Sequence, residues 1–124
     1  MIAAQELITV SIDEQYEIGF AHRCNGEYAE ARAIFEKILA QAPTHIPSRW
    51  QMALILGFEG DFDGSLEGLK ALAAESPNDL EIRYDFAMTQ MMLGHLDEAC
   101  AEFRAIVAAD PTHEKATQQL IYCG

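Results

Sequence analysis

Three stretches of this sequence align without a gap: GEYAEARAIFEKILAQAP at residues 26–43, GDFDGSLEGLKALAAESP at 60–77 and GHLDEACAEFRAIVAADP at 94–111. Each begins with glycine, ends with proline and starts 34 residues after the one before it. Apolar residues recur in them at three- and four-residue steps, the spacing of one helix face. The glycine ends a preceding helix because it adopts the left-handed conformation at little cost. The proline ends the helix of the stretch itself because it has no N–H to donate.

A second helix is predicted before each of these stretches. At the start of residues 12–25, Ser11 and Glu14 have the spacing of a capping box. The predicted first helices are 12–25, 46–59 and 80–93, and the predicted second helices are 29–42, 63–76 and 97–110. Small residues stand at matching positions, where they let paired helices approach closely: Gly19, Ala53 and Ala87 in the first helices, and Ala31, Ser65 and Ala99 in the second. The pattern predicts an all-α protein without a sheet.

The predicted core and chain ends follow from the same columns. We expect two apolar columns to be buried: Ile18, Met52 and Phe86 in the first helices, and Phe35, Leu69 and Phe103 in the second. Residues 112–124 begin like another first helix, with Thr112 as its cap and Ala116, Leu120 and Ile121 on one side. For residues 2–10 we expect a short turn or helix. A helical array needs such end segments to present a polar surface.

Composition and charge exclude several classes of partner. The 124 residues include 8 Lys+Arg and 20 Asp+Glu, a net charge of -12 at pH 7. Nucleic-acid binding and attachment to an anionic membrane surface are disfavoured, because both depend on cationic side chains. No apolar run approaches the roughly 20 residues of a membrane-spanning helix, and the first ten residues carry Glu6 but no basic residue.

Cysteine usage and the lack of catalytic motifs point to a non-catalytic protein of a reducing compartment. Cys24, Cys100 and Cys123 are odd in number and form no CxxC motif, so we expect three free thiols and a cytoplasmic location. His45, His95 and His113 fall at or near predicted turns, where a solvated polar residue is the expected role. No phosphate loop, metal-ligand motif or nucleophile motif is present, so no enzyme, cofactor or metal is predicted.

The aligned columns resemble the tetratricopeptide repeat, a family of 34-residue helix–turn–helix units. The small residues of both helices, the column of Phe35, Leu69 and Phe103, and the prolines Pro43, Pro77 and Pro111 match its signature. The Trp position of its first helix instead holds Gln15, Arg49 and Arg83, with an aromatic residue one place later. The resemblance implies one domain over residues 1–124, an α-solenoid of three antiparallel helix pairs. Its repeats are expected at about 12–45, 46–79 and 80–113, with a cap helix at 114–124.

The resemblance also implies that the first helices line a concave groove where ligands bind. Ten apolar side chains at helical spacing are the candidate partner-binding residues, here named the apolar strip: Tyr16, Phe20, Trp50, Leu54, Phe58, Tyr84, Met88, Met91, Met92 and Tyr122. Tyr, Trp and Met are enriched in the cores of protein interfaces. The alternative interpretation is that these side chains only pack on one another and on neighbouring helices.

Some family members hold the acidic C-terminal tails of chaperones in a clamp of Lys, Asn and Arg. The matching positions here are Tyr16, Phe20, Gln51, Glu81 and Asp85, which include no cation. A terminal carboxylate would be repelled by the two acids. The predicted function is therefore an interaction module, an adaptor, scaffold or chaperone-like protein that binds an apolar peptide or helix of a partner. The alternative is a self-assembling structural protein whose groove is filled by a neighbouring subunit.

Overall fold

A computed structural model describes residues 10–124, and within this range the chain forms helices and no strand. The seven α-helices are α1 (Ile12–Cys24), α2 (Tyr28–Gln41), α3 (Ile46–Phe58), α4 (Phe62–Glu75), α5 (Leu80–Met92), α6 (Leu96–Ala109) and α7 (Glu114–Gln119), followed by the 3-10 helix η1 (Leu120–Tyr122). The all-α prediction is confirmed, and the first six helices each begin and end within one residue of the prediction. The predicted N-terminal turn or helix lies outside the described residues apart from Val10.

The helix ends have the local chemistry that the sequence predicts. Ser11 accepts a hydrogen bond from the backbone N–H of Glu14 at 3.1 Å, and the Glu14 side chain returns to the Ser11 backbone. Gly26, Gly60 and Gly94 have φ values of 77°, 95° and 84°, the left-handed region that residues with a Cβ rarely adopt. The repeated glycines therefore reverse the chain between the two helices of each pair.

Two compact units are distinguished along the chain, one up to Ile55 and one from Leu56 to Gly124. In the first unit, α1 packs against α2, where Gly19 is buried beside the fully buried Phe35. Ala31, Ile38 and Ile55 complete this core. Because Gly19 has no side chain, the backbone of α1 comes close to the Phe35 ring.

The expected core column of Ile18, Met52 and Phe86 is wrong. Ile18 is 50% exposed, and Met52 and Phe86 are only half-buried. The face of α1 that turns inward carries Gln15 and Gly19, one helical turn apart, and Ile18 lies about 100° around the helix from Gly19. The other predicted column is confirmed, since Phe35, Leu69 and Phe103 are fully buried.

The second unit has its own core between α5, α6 and the C-terminal segment. The buried members of this cluster are Ala87, Ala99, Cys100, Phe103, Ile106, Ala116 and Cys123. Tyr84, Met88, Met91 and Leu120 pack against it while staying partly exposed. The C-terminal segment thus covers apolar surface of α5 and α6.

The C-terminal cap differs from the prediction in its cap residue and its length. Nδ1 of His113 accepts the N–H of Ala116 at 3.1 Å and caps α7, whereas the Thr112 hydroxyl donates to Asp110 at 2.6 Å. The α-helix ends at Gln119, and η1 changes the spacing of the side chains that follow. Ala116 is buried and Leu120 half-buried, but Ile121 is 77% exposed, so the three do not share one face.

The expectation of three free thiols is wrong. Cys100 of α6 and Cys123 after η1 form a disulfide, with their Cα atoms 5.7 Å apart, and Cys24 is free and exposed. The two cysteines are 23 residues apart in the sequence. Their pairing depends on the way the chain folds back over α6, which neither the number nor the spacing of cysteines reveals.

Candidate functional site

In the first unit, Tyr16 of the apolar strip contacts three other rings. Its ring centroid lies 5.7 Å from that of Phe35, 6.1 Å from Phe20 and 5.9 Å from His45. Burial raises the pKa of its hydroxyl above the ordinary 10.0, although a hydrogen bond with Gln51 opposes the shift. Tyr16 is therefore a neutral, half-buried side chain that joins the core to the surface.

The polar neighbour of Tyr16 is Gln51 on α3, which is 5% exposed. Its Nε2 donates to the Tyr16 hydroxyl at 3.2 Å, while its Oε1 accepts no hydrogen bond from the described residues. A buried acceptor without a partner costs free energy, about 1–3 kcal/mol in typical proteins. Beneath the half-buried Tyr16 there is thus a buried amide oxygen that lacks a donor among the described residues.

The remaining strip residues of the first unit are half-buried. The guanidinium of Arg23 lies 4.9 Å from the Phe20 ring centroid, in the geometry of a cation–π contact. Trp50 and Leu54 on α3 keep part of their surface accessible. Phe20 is thus covered in part by Tyr16 and Arg23 of its own helix, as the packing interpretation expects.

In the second unit, Tyr84 repeats the environment of Tyr16. Its ring lies 5.8 Å from Phe103 and 5.7 Å from His113, and the Lys115 ammonium is 5.8 Å from its centroid. Burial raises the pKa of the Tyr84 hydroxyl as well. Tyr16 therefore packs between Phe35 and His45, the residue just before α3. Tyr84 packs in the same way between Phe103 and His113, the residue just before α7.

The sequence did not predict that His45 and His113 have structural roles. Nδ1 of His45 accepts the N–H of Ser48 at 3.3 Å, and His113 caps α7 with its side chain only 8% exposed. The solvated role predicted for His113 is therefore wrong. The available signal was positional: Ser11, His45, Asp79 and His113 follow one another at 34 residues, in the column that precedes each first helix.

The most exposed members of the apolar strip lie in the second unit. Met92 at the end of α5 is 62% exposed, Phe58 at the end of α3 is 51% exposed, and Tyr122 is 61% exposed. Met88 and Met91 pack against the core cluster on one side and remain half-buried. Flexible methionines adapt to differently shaped partners, so this part of the strip is suited to apolar contacts.

Charged groups near Tyr84 are engaged in pairs within the second unit. Glu81 accepts from His113 Nε2 at 2.8 Å and lies 3.8 Å from the Lys115 ammonium. Arg83 pairs with Glu102 at 3.2 Å, as expected for a cation that bridges neighbouring helices. The charged groups of these pairs are therefore already engaged within the second unit.

Over residues 10–124, no group of three or more His, Cys, Asp or Glu side chains has the arrangement of a metal site. None of the helices in that range has both the length and the apolar character to span a bilayer.

Comparison with known families identifies the class of protein. Models of the tetratricopeptide repeat match residues 59–121 and residues 12–45. The chain therefore belongs to the tetratricopeptide repeat family, whose members are generally non-catalytic modules of protein interaction. No curated protein matches the sequence.

Solved structures with the same fold extend the comparison. MamA from Desulfovibrio magneticus RS-1 is 24% identical with a TM-score of 0.76, over 89% of this chain and 62% of that one. YrrB, described as a TPR protein with an unusual peptide-binding site, is 28% identical with a TM-score of 0.72, over 91% and 58%. MamA of AMB-1 is 22% identical with a TM-score of 0.70, over 86% and 58%. The chain thus spans about three fifths of the length of these structures.

Proposed function

We propose that this protein is an adaptor, scaffold or chaperone-like module that binds an apolar peptide or helix of a partner protein on its apolar strip. The observation that carries the proposal is the exposure of Met92 and Phe58 at the ends of two first helices, 62% and 51%. Exposed large apolar side chains at the same position of successive repeats would supply the apolar patch that an interaction surface needs.

Helix α5 carries strip residues that keep part of their surface accessible. Its buried side is supplied by Ile82, Ala87 and Thr89. Tyr84 and Met88 are one turn apart, and Met92 is one turn further on, so a second apolar side runs along the same helix. Tyr84 and Met88 pack in part against the core cluster, while Met92 is 62% exposed, so the accessible parts of this side are what a partner would cover.

The chemistry around the strip narrows the class of partner. The chain has a net charge of -12, and its engaged acids include Glu81 close to Tyr84. A partner with an acidic tail is disfavoured. A peptide whose apolar residues are flanked by basic residues would be attracted by the negative charge of this chain.

The similarity to YrrB adds support for a peptide ligand, since that structure is described as having a peptide-binding site. The similarity to MamA supports the fold only. A cytoplasmic location stays a prediction. The Cys100–Cys123 disulfide does not support it, because disulfides are typical of oxidising compartments.

A peptide-display selection on the folded protein tests the proposal. Peptides selected on the wild type should be apolar with basic flanks, and Met92→Glu should abolish their binding because it places a charge among the apolar contacts. Ile121→Glu is the matched control, since Ile121 is also apolar and 77% exposed but lies outside the apolar strip.

Equal binding by Met92→Glu and the wild type would contradict the proposal, as would loss of binding in Ile121→Glu alone. The alternative, self-assembly, predicts that Met92→Glu lowers the apparent mass in sedimentation across a concentration series. A monomeric wild type that selects no peptide would contradict both.

A further inference from the structure

A surface pocket of about 320 Å³ opens beside the disulfide of the second unit. Its walls include Leu96, Asp97 and Arg104 of α6, Tyr122 of η1, and both half-cystines. Leu96 is 45% exposed and Tyr122 61% exposed, so the mouth is bordered by apolar side chains that water already reaches. Tyr122 is the one residue of this pocket that also belongs to the apolar strip, and the proposed interaction role uses none of the other lining residues.

We propose that this pocket is an entry site for a small thiol, and that thiol–disulfide exchange there releases the C-terminal segment from α6. Structural disulfides are usually enclosed, whereas labile ones are accessible to an attacking thiolate. The disulfide here forms part of a pocket wall, and the pocket is large enough for a thiol of a few heavy atoms. The inference is independent of the proposed partner binding.

The incoming thiol is the only reagent that the exchange reaction needs. Its thiolate sulfur attacks Cys123 Sγ through the pocket wall, since both half-cystines are otherwise buried, Cys100 at 4% and Cys123 at 8% exposure. The new bond is a mixed disulfide with Cys123, and the electron pair of the old S–S bond leaves on Cys100 as a thiolate, which then takes a proton from water. A second thiol releases Cys123 and forms the oxidised dimer of the reductant.

The position of Arg104 favours this direction of attack. It lies one helical turn after Cys100 on α6, and its Nη2 donates to the carbonyl oxygen of Cys123 at 3.3 Å. A cation near a cysteine favours its thiolate form, so the positive charge that α6 carries one turn from Cys100 helps Cys100 to leave as a thiolate.

Reduction breaks the covalent bond between α6 and the C-terminal segment, which is very short. Helix α7 has six residues and η1 has three, and isolated helices of that length are not stable in water. The segment covers the cluster that includes Ala99 and Phe103. After reduction, the remaining contacts hold it less firmly, so this end of the molecule opens more often.

The test measures the rate of reduction in the folded protein. A Cys24→Ser background removes the exposed free thiol. The oxidised protein is treated with 2-mercaptoethanol, trapped with iodoacetamide at intervals and weighed by mass spectrometry. We expect a rate proportional to the thiol concentration and unchanged by low urea, because attack occurs through the pocket.

Matched variants locate the entry route. Leu96→Trp narrows the mouth and should slow reduction severalfold, whereas Phe62→Trp changes the corresponding residue 34 positions earlier and should not. A rate that rises with urea and does not depend on thiol concentration would overturn the proposal, since reduction would then need prior unfolding. So would equal rates for the two tryptophan variants, or a protein that forms no Cys100–Cys123 bond in oxidised glutathione.

Hydrogen exchange measures the consequence. Amides of α7 and η1 should exchange faster in the reduced than in the oxidised protein, while amides of α1 and α2 stay unchanged. Identical exchange of α7 in both forms would show that the disulfide does not control this segment and would overturn that part of the inference.

Discussion

Adding a methyl group at Gly19 tests the close approach of α1 and α2. A Cβ built on Gly19 would lie 2.8 Å from Phe35 Cε1, 3.0 Å from Phe35 Cζ and 3.2 Å from Ile34 Cγ2. Carbon atoms in contact prefer about 3.5–4.0 Å, so either the ring or the helix must move. Phe35 is fully buried, which leaves its ring little free space to move into.

The expected magnitude is a balance of two effects. Alanine improves helix propensity over glycine by about 1 kcal/mol, and overpacking a core costs about 1–3 kcal/mol. Gly19→Ala should therefore lower the free energy of unfolding by up to about 2 kcal/mol. Gly19→Val should lower it by more, because valine carries two further methyl groups on its Cβ and has a lower helix propensity than alanine. Urea denaturation followed by far-ultraviolet circular dichroism measures both.

Gly57→Ala is the matched control for Gly19→Ala. A Cβ at Gly57 would lie 3.2 Å from the hydroxyl oxygen of Ser65, which can rotate away, and 3.5 Å from its Cβ. This variant should be neutral or slightly stabilising. Phe35→Leu should partly rescue Gly19→Ala, because the smaller side chain makes room for the methyl group. If Gly19→Ala stabilises the protein as much as Gly57→Ala does, the close approach inferred from the structure is refuted.

Three further measurements check other parts of the reasoning. Trp50→Ala should weaken partner binding by about 2 kcal/mol or more with the helical fold retained; a stability loss of about 3–5 kcal/mol with unchanged affinity would instead identify Trp50 as a core residue. Hydrogen bonds from Thr112 hold the pKa of the Asp110 carboxyl below its ordinary 3.8, so the carboxylate stabilises the fold at neutral pH and this contribution is lost as the pH falls through the lowered pKa. Asp110→Ala should accordingly lower the Tm at neutral pH, with a difference that narrows in acid; a constant difference would contradict the shift. Solubility should fall near the sequence pI of about 4.5, where the net charge vanishes, and nephelometry across pH would reveal undiminished solubility if this is wrong.

The sequence by itself determined the helices, because their signals are local. Glycine reverses the chain, proline stops a helix and Ser11 caps one, and each acts within a few residues of its own position. Each 34-residue repeat carries its own glycine and proline, so each helix end is predicted independently of the others. The column of Phe35, Leu69 and Phe103 was predicted for the same reason, since it lies at constant distance from the repeated glycines.

The tertiary structure decided which helix faces turn inward and which distant residues meet. Ile18 is exposed although it belongs to an apolar column, because the close approach at Gly19 fixes the rotation of α1. His113 lies against Tyr84, and Cys100 bonds to Cys123, because the chain after α6 folds back over the core. Such contacts join residues of different elements, and their free energy depends on through-space distances that no local pattern in the sequence specifies.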